Sequence, residues 1–541
     1  MPEPAIRNKA LVYNPHLKFH EVSMSAVATT SEPRQNTGGT IATGVASIVA
    51  LLAFLYCGYI AVRYSGQHML IRNFSFRQTQ TALTAYWACR DGFKLAYETP
   101  VGGVPWAIPF EFPIYQWIVS WISCSFGFDL ERVGRLVSYA FLAACVFPIA
   151  RLSRNLFLGQ WPLYFLATTA LFFSAPLHIF FSNAFLMESA ALFFSLYFVS
   201  YSISMIQGDR SVRTGILAGT FLTLAILQKS TTVLPLVPVF GLWMLCGAAP
   251  EIRAQGLKSR ALWLGIIAIL VPFVVGTAWA KYSDITKELN LFGHHLTSSA
   301  LMNWNFGGDR LDWKLWLWVI WHRNIVTNIG GWLGIGILVA GLVTLDRKHR
   351  GLIVLSAVLF LMYFMIFTNL QYVHEYYQIS NEAFLLFAVA IALAGAMQHS
   401  NKLLSIAGVV ALIAVVAVNF QTFRTSQNFK WLQEVHGPND PVLASAHFVR
   451  DNTDGSKPII VFGDEWNSEF PFYSERKAFV VPKFFPQYDD VYQNPAKYVG
   501  VQPSAVMVCR DDRTPDFESR ISAAIRPRSI NKLELCDIFL K

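Results

Sequence analysis

The sequence predicts a polytopic α-helical membrane protein with a small α/β domain at its C-terminal end, and three observations lead there. Hydrophobic residues make up 54% of the 541-residue chain and charged residues only 14%, where a soluble domain carries about 25% charged residues. Apolar windows bounded by charge recur along the chain, each of about 17–25 residues and so able to cross a hydrocarbon core of about 30 Å. Beyond residue 420 these windows stop, and charge, Asn, Asp and Pro rise.

Residues 1–40 are polar and lack a short apolar core with a small-residue cleavage site, which predicts a cytoplasmic tail rather than a signal peptide. About 11 spans follow, over 41–62, 133–150, 161–177, 186–206, 215–228, 232–249, 261–280, 325–345, 352–368, 380–397 and 403–420. The short basic loops "RLSRN" (151–155), "GDRSVR" (208–213), "EIRAQGLKSR" (251–260) and "DRKHR" (346–350) all fall on one side of this register. Lys and Arg in short loops are held in the cytoplasm, so that side is inner. The outer side receives the loops 63–132 and 281–323, the turns at 175–185 and 369–378, and a domain of residues 421–541.

In that domain "KPIIVFGDEW" (457–466), "KAFVVP" (477–482) and "SAVMVCR" (504–510) read as strands and "DFESRISAAI" (516–525) as a helix. Cys509 and Cys536 both lie there, and an oxidising compartment lets them pair. Cys57, Cys145 and Cys246 fall within or beside spans and read as packing residues. The net charge of +9 is scattered between spans, which suits anionic lipid headgroups and not nucleic acid.

The chemistry starts from "YETPVGGVPWAIPFEFPIYQW" (97–117), which keeps Glu98 and Glu111 among Pro100, Pro105, Pro109 and Pro113. Proline fixes φ and removes donors, so this stretch is a rigid loop and not a helix. Irregular backbone at membrane depth is tolerated where it lines a cavity. Arg72, Arg77, Glu188, Lys229, His374, Glu375, Tyr376 and Tyr377 fall on the same outer side. An ionisable group at that depth is costly and marks function, or else an interfacial salt bridge. Cations hold phosphate oxygens and a carboxylate takes a proton from a hydroxyl, which together describe group transfer from a lipid-linked donor. The aromatic segment 303–321 reads as an interfacial belt.

The order of "FRQTQTALTAYW" (76–87), the 97–117 loop, "FLMESAALFF" (185–194), "LQKSTT" (227–232), "QYVHEYYQISN" (371–381) and "VFGDEWNSEFPFYSERKAFVVP" (461–482) resembles the GT-C superfamily of polyprenyl-phosphate-sugar-dependent glycosyltransferases. The likeness is to a bacterial branch near the protein O-mannosyltransferases and the lipid A aminoarabinose transferase. It implies the GT-C fold and an inverting transfer from a polyprenyl phosphate sugar, such as undecaprenyl phosphate carries, to a hydroxyl of a lipid, glycan or protein. It implies a bacterial inner membrane enzyme with a periplasmic C-terminal domain.

In relatives an acidic pair opens the first motif; here Arg77 and Gln78 stand there, with Gln80 where Asp is common. A guanidinium stays protonated and is no base. The expected base is therefore Glu98 or Glu111, with Glu98 preferred for its more polar setting. Arg77 and Lys229 are expected to hold the donor phosphate, with Gln78, Gln80, Glu188, His374, Tyr376 and Tyr377 as further substrate contacts, while Arg72 reads as a snorkelling interfacial cation. No metal-site spacing is present, since His294 and His295 are adjacent without a partner at i+4, so no cofactor and no obligatory metal are expected; superfamily members differ in metal use, and a divalent ion stays open. Two other readings remain, a transporter or flippase of lipid-linked sugars and an inactive scaffold of the same fold.

Overall fold

In the computed structural model, which describes residues 37–69 and 74–541, apolar helices account for most of the chain. The expected N-terminal tail up to residue 36 and Arg72 lie outside the described residues. Among the described residues nine helices are long and apolar enough to cross a membrane, or ten if the bent pair Trp313–Ile329 and Trp332–Thr344 forms one span. The predicted segments 133–150 and 161–177 share one of these, Leu130–Ser174. It is broken at Leu158–Gln160, where Trp161–Ser174 turns back against Val146–Phe157. The segment predicted as a straight span over 325–345 instead bends by 85°, because Gly330 and Gly331 at the break take φ of 72° and 62°, a region costly for other residues.

The first helix, Thr37–Tyr64, buries Ala42, Ala46, Ala50, Ala53 and Cys57 at helical spacing and exposes Ile48, Leu51, Leu52 and Leu55. Small side chains let it approach Trp161–Ser174 closely, which is how helices associate in lipid. Gln378–Met397 is buried along almost its whole length and forms the centre of the bundle. Cys145 is buried like Cys57, but Cys246, expected to pack, faces outward. The basic loops meet at one end: Lys348 Nζ donates to Leu156 O, Gln207 Nε2 donates to Asn155 O at 2.7 Å, and Arg210 pairs with Glu251 at 3.4 Å.

At the other end sits the α/β domain, where all three predicted strands appear: β1 Ile459–Phe462, β2 Ala478–Val481 and β3 Ala505–Cys509. Two further strands, β4 Ser529–Lys532 and β5 Cys536–Leu540, complete a sheet of order β2-β1-β3-β5-β4. The first three are parallel and buried on both faces. Alternate side chains divide them: Ile459 and Val461 face Pro441–Asn452, while Ile460 and Phe462 face the expected helix, Pro515–Ile525. Cys509 and Cys536 face each other across β3 and β5 and are disulfide-bonded. A second bridge, Cys89–Cys124, ties two helices of the 63–132 loop, Ser75–Asp91 and Ile114–Phe126.

The turn after β1 positions the helix that matters most. Gly463 takes φ 81°, and a Cβ there would meet Cys509 O at 1.9 Å, so only glycine fits. Beyond it Glu469 accepts from Ser75 Oγ and pairs with Arg510 at 3.2 Å, and Trp466 packs edge-on against Phe76 at 4.8 Å. Asp464 is buried beside them, 3.0 Å from Arg510. Burial, reinforced by Glu469, outweighs Arg510 and pushes its carboxyl up to about 8. The folded state therefore favours the protonated form, and this group's contribution to stability falls as pH rises from the usual carboxylate range to about 8. Asp464→Asn should accordingly match the parent in thermal unfolding at about pH 4, the usual carboxylate range, and exceed it increasingly toward pH 8; a constant difference would refute the burial argument.

Candidate functional site

The 97–117 stretch is irregular from 97 to 113 and becomes helical at Ile114. Its rigidity has more sources than proline. On one side it joins the sheet: Ala478 N donates to Pro100 O at 3.1 Å, Val480 N to Val101 O at 2.9 Å, and Val104 N to Tyr498 O at 2.8 Å. On the other, Trp279 Nε1 donates to Phe110 O at 3.1 Å and Ser283 Oγ to Pro109 O at 2.6 Å, both from the helix Val271–Glu288. Asn290 Nδ2 donates to Gly103 O and Pro105 O at 2.9 and 2.8 Å. The carbonyls of all four prolines, Pro100, Pro105, Pro109 and Pro113, are held, so the side chains at its tip have fixed places.

Glu111 is at that tip, and Arg77 Nη2 donates to its carboxylate at 2.5 Å. Arg77 Nη1 donates to Gln80 Oε1, the i,i+3 neighbour expected on its helix face. Burial pushes the Glu111 carboxyl up, but Arg77, then Lys229 and Lys287, hold it below the usual range. Lys287 was not foreseen; its ammonium lies 5.4 Å from the Phe110 ring.

The second half of the cluster comes from the membrane helices. Val212–Val233 is broken at Lys229, whose φ and ψ of −165° and 97° are extended. The break is braced by the loop, with Phe112 N donating to Leu227 O at 2.9 Å and Tyr115 N to Gln228 Oε1 at 3.2 Å. Lys229 Nζ donates to Glu188, and the two side chains are 3% and 2% exposed, a burial at which an ionised group persists only if paired. Lys229 also stands over the rings of Tyr377 and Tyr376 at 3.9 and 5.0 Å. His374 stacks on Tyr376 at 5.2 Å. Burial, together with Lys229 and Arg77, brings its imidazole down to about 4, so it is neutral in this cationic field. Gln80 Nε2 and Glu188 Oε2 are buried without a hydrogen-bond partner among the described residues. One donor and one acceptor at the cluster are thus left for a ligand or water.

The structure therefore brings together Arg77, Gln80, Glu111, Glu188, Lys229, His374, Tyr376 and Tyr377. It does not bring Glu98 there. Glu98 accepts from Lys477 Nζ of the α/β domain and lies 3.7 Å from Lys94; Lys477 also donates to Asp91 at 2.8 Å. Of the two candidate bases, the structure therefore places Glu111 and not Glu98 beside Arg77. Gln78 also lies apart from this cluster: its Oε1 accepts from Phe185 N at 2.9 Å and braces the turn before Glu188. Glu375 turns toward Arg323 and Asn428. Among the described residues no three His, Cys, Asp or Glu side chains are grouped as metal ligands.

No family model and no curated protein matches the sequence. Solved structures do match. ArnT from Cupriavidus metallidurans bound to undecaprenyl phosphate aligns with TM-score 0.57 and 13% identity over 93% of this chain and 98% of that one. The oligosaccharyltransferase of Archaeoglobus fulgidus, in complex with Zn and sulfate, aligns with TM-score 0.50 and 12% identity over 88% of this chain and 69% of that one. At such identities the likeness is one of fold, and for ArnT it takes in both the helix bundle and the sheet domain.

Proposed function

We propose that this multi-pass membrane protein of the GT-C fold is a glycosyltransferase that moves a sugar from a polyprenyl phosphate to a hydroxyl acceptor, with Glu111 as general base. The observation that carries the reading is the Arg77–Glu111 ion pair, in the electrostatic field of Lys229 and Lys287, at the end of the bundle where the sheet domain sits. That ArnT was solved with undecaprenyl phosphate supports the class of donor.

On this reading the Arg77–Glu111 pair is the resting state. A donor phosphate competes for Arg77 in a bidentate fork, with Lys229 as a point charge. The carboxylate is then released from its strongest cationic hold and lies beside an anion, so its proton affinity rises where a base is needed. The acceptor O–H gives its proton to Glu111 as the oxygen bonds to the sugar anomeric carbon. The bond from that carbon to the phosphate oxygen breaks, and the polyprenyl phosphate leaves with the electron pair, neutralised by Arg77 and Lys229. Tyr376 and Tyr377 keep Lys229 aimed, and the outer face of a bacterial inner membrane is the setting proposed.

The test is binding of undecaprenyl phosphate to the protein in nanodiscs, read by native mass spectrometry. Arg77→Ala should weaken it by about 10- to 100-fold, the worth of a charged hydrogen-bonded contact, with a smaller effect on turnover at saturating donor. Unchanged affinity would remove Arg77 from the donor site. An inactive scaffold is the second reading, favoured by Gln80 in place of an acid and by the ion pairing of both Glu98 and Glu111. It predicts no transfer from any polyprenyl phosphate sugar.

A further inference from the structure

A second cleft, of about 380 Å³, opens where the 97–113 loop meets the sheet domain, lined by Trp87, Val104, Trp106, Lys457, Lys477 and Val501. We propose that it is a saccharide-binding subsite that holds a glycan portion of the acceptor; this rests on the transferase reading given above.

The side chains there are those a polyol needs. Trp106 is half-buried at the wall and offers an indole face for the apolar C–H side of a sugar ring. Trp87 is only 7% exposed, and its Nε1 has no hydrogen-bond partner among the described residues. Beside them Lys477 is held over the Trp87 ring at 4.6 Å by Asp91 and Glu98, so ammonium and carboxylates are fixed together as donors and acceptors for hydroxyl groups. The rim adds Lys457, which is exposed.

Charge does not single out a phosphate here, because Asp91 and Glu98 offset Lys477 and Lys94 and leave only the exposed Lys457 at the rim. An extended peptide is disfavoured by the backbone. The free edge of β2, where a peptide would add as a strand, is taken by residues 100–102 of the loop itself, through Ala478 N to Pro100 O and Val480 N to Val101 O. The position also fits an acceptor. Trp106 precedes Glu111 by five residues of one clamped loop, so the cleft and the carboxylate are within about 18 Å along the chain. Glu98 pairs with Ala107 as a β-bridge across that loop. A short oligosaccharide seated on Trp106 can therefore present a distal hydroxyl toward Glu111, and the cleft would set acceptor choice without touching the reacting atoms.

The experiment is a glycan array of bacterial envelope oligosaccharides probed with the full chain in detergent, with undecaprenyl phosphate binding measured on the same preparations. The wild type should bind at least one oligosaccharide. Trp106→Ala and Lys457→Gln should each lower that binding, Trp106→Ala by about tenfold or more, as expected for an aromatic anchor, and Trp106→Phe should restore most of it. Undecaprenyl phosphate binding should stay unchanged in all three. No oligosaccharide bound, or wild-type binding in both Trp106→Ala and Lys457→Gln, overturns the subsite; so does a peptide library yielding ligands that need Trp106 while the glycans yield none. If the polyprenyl phosphate is bound in these cases, the transferase reading stands without the subsite. If glycans bind through Trp106 but no polyprenyl phosphate binds, the cleft survives and the transferase reading fails.

Discussion

Replacing Glu111 by Gln is expected to reduce sugar transfer by about 10²- to 10⁴-fold, the range for loss of a general base, while the protein stays folded. The amide has the shape of the carboxylate, and the loop around it is fixed by backbone bonds to Trp279, Ser283, Asn290 and the sheet that the substitution leaves untouched. The effect on donor binding has a definite sign. In the resting site Glu111 occupies Arg77 at 2.5 Å, so the neutral amide should free the guanidinium and tighten undecaprenyl phosphate binding. A purely structural ion pair predicts the opposite, a looser site and weaker binding. Glu98→Gln is the internal control: its partners are Lys477 and Lys94, and transfer at saturating acceptor should stay within about a few-fold, the scale of a partly exposed ion pair. Full activity in Glu111→Gln would return the base to an unassigned residue.

The pH dependence separates the same alternatives. Arg77, Lys229 and Lys287 hold the free carboxylate below its usual range, so kcat/KM, which reports free enzyme, should not fall as pH drops from neutrality toward mildly acidic values. In the donor complex Arg77 is engaged by phosphate, so the acid limb of kcat should lie at higher pH than that of kcat/KM. Coincident limbs would show that Arg77 and Glu111 stay paired through the reaction.

The membrane fold was legible because its signals are local. Apolar windows, basic loops and runs of Val, Ile and Phe need no distant partner to be recognised, and β1, β2 and β3 fell where their apolar runs predicted. The polar ends of spans were informative for the same reason: Glu188, Lys229 and the His374–Tyr377 run are ionisable or aromatic groups at positions where burial is costly. The choice between Glu98 and Glu111 could not be made locally. Both sit in one proline-rich loop, and what separates them is Lys477, hundreds of residues away, which takes Glu98 toward the sheet. Gln78 and Gln80 show the limit at helix scale: the spacing from Arg77 placed Gln80 correctly, but only the packed turn at Phe185 reveals that Gln78 is consumed in bracing. Asp464 and Cys89 carried no warning, because each acquires its partner through tertiary docking, and the local pair of Lys287 with Asp284 gave no sign that its helix packs beside the 97–113 loop. β4 escaped because it is largely exposed and has no apolar run, whereas β5 is buried but its short apolar run is interrupted by Asp537.

The buried pair Lys229–Glu188 should be the most stability-critical polar contact in the bundle, and it separates a structural requirement from a chemical one. Lys229→Met is expected to cost about 3–5 kcal/mol, because removing one member leaves the other charge buried and uncompensated. The loss should appear as a fall in unfolding temperature and in yield of folded protein. Adding Glu188→Leu removes the orphaned carboxylate, and the double variant should recover most of that stability, since a buried ion pair replaced by apolar side chains is often neutral or stabilising. Transfer should not recover with it. Helix geometry alone gives no reason for a break at Lys229, and irregular backbone within a membrane is tolerated where it lines a cavity. On the transferase reading, a lysine held there by Glu188, Tyr376 and Tyr377 serves the donor phosphate, which the double variant could no longer neutralise. A folded double variant with wild-type donor affinity and turnover would show that the pair serves the fold alone, and the phosphate would then rest on Arg77.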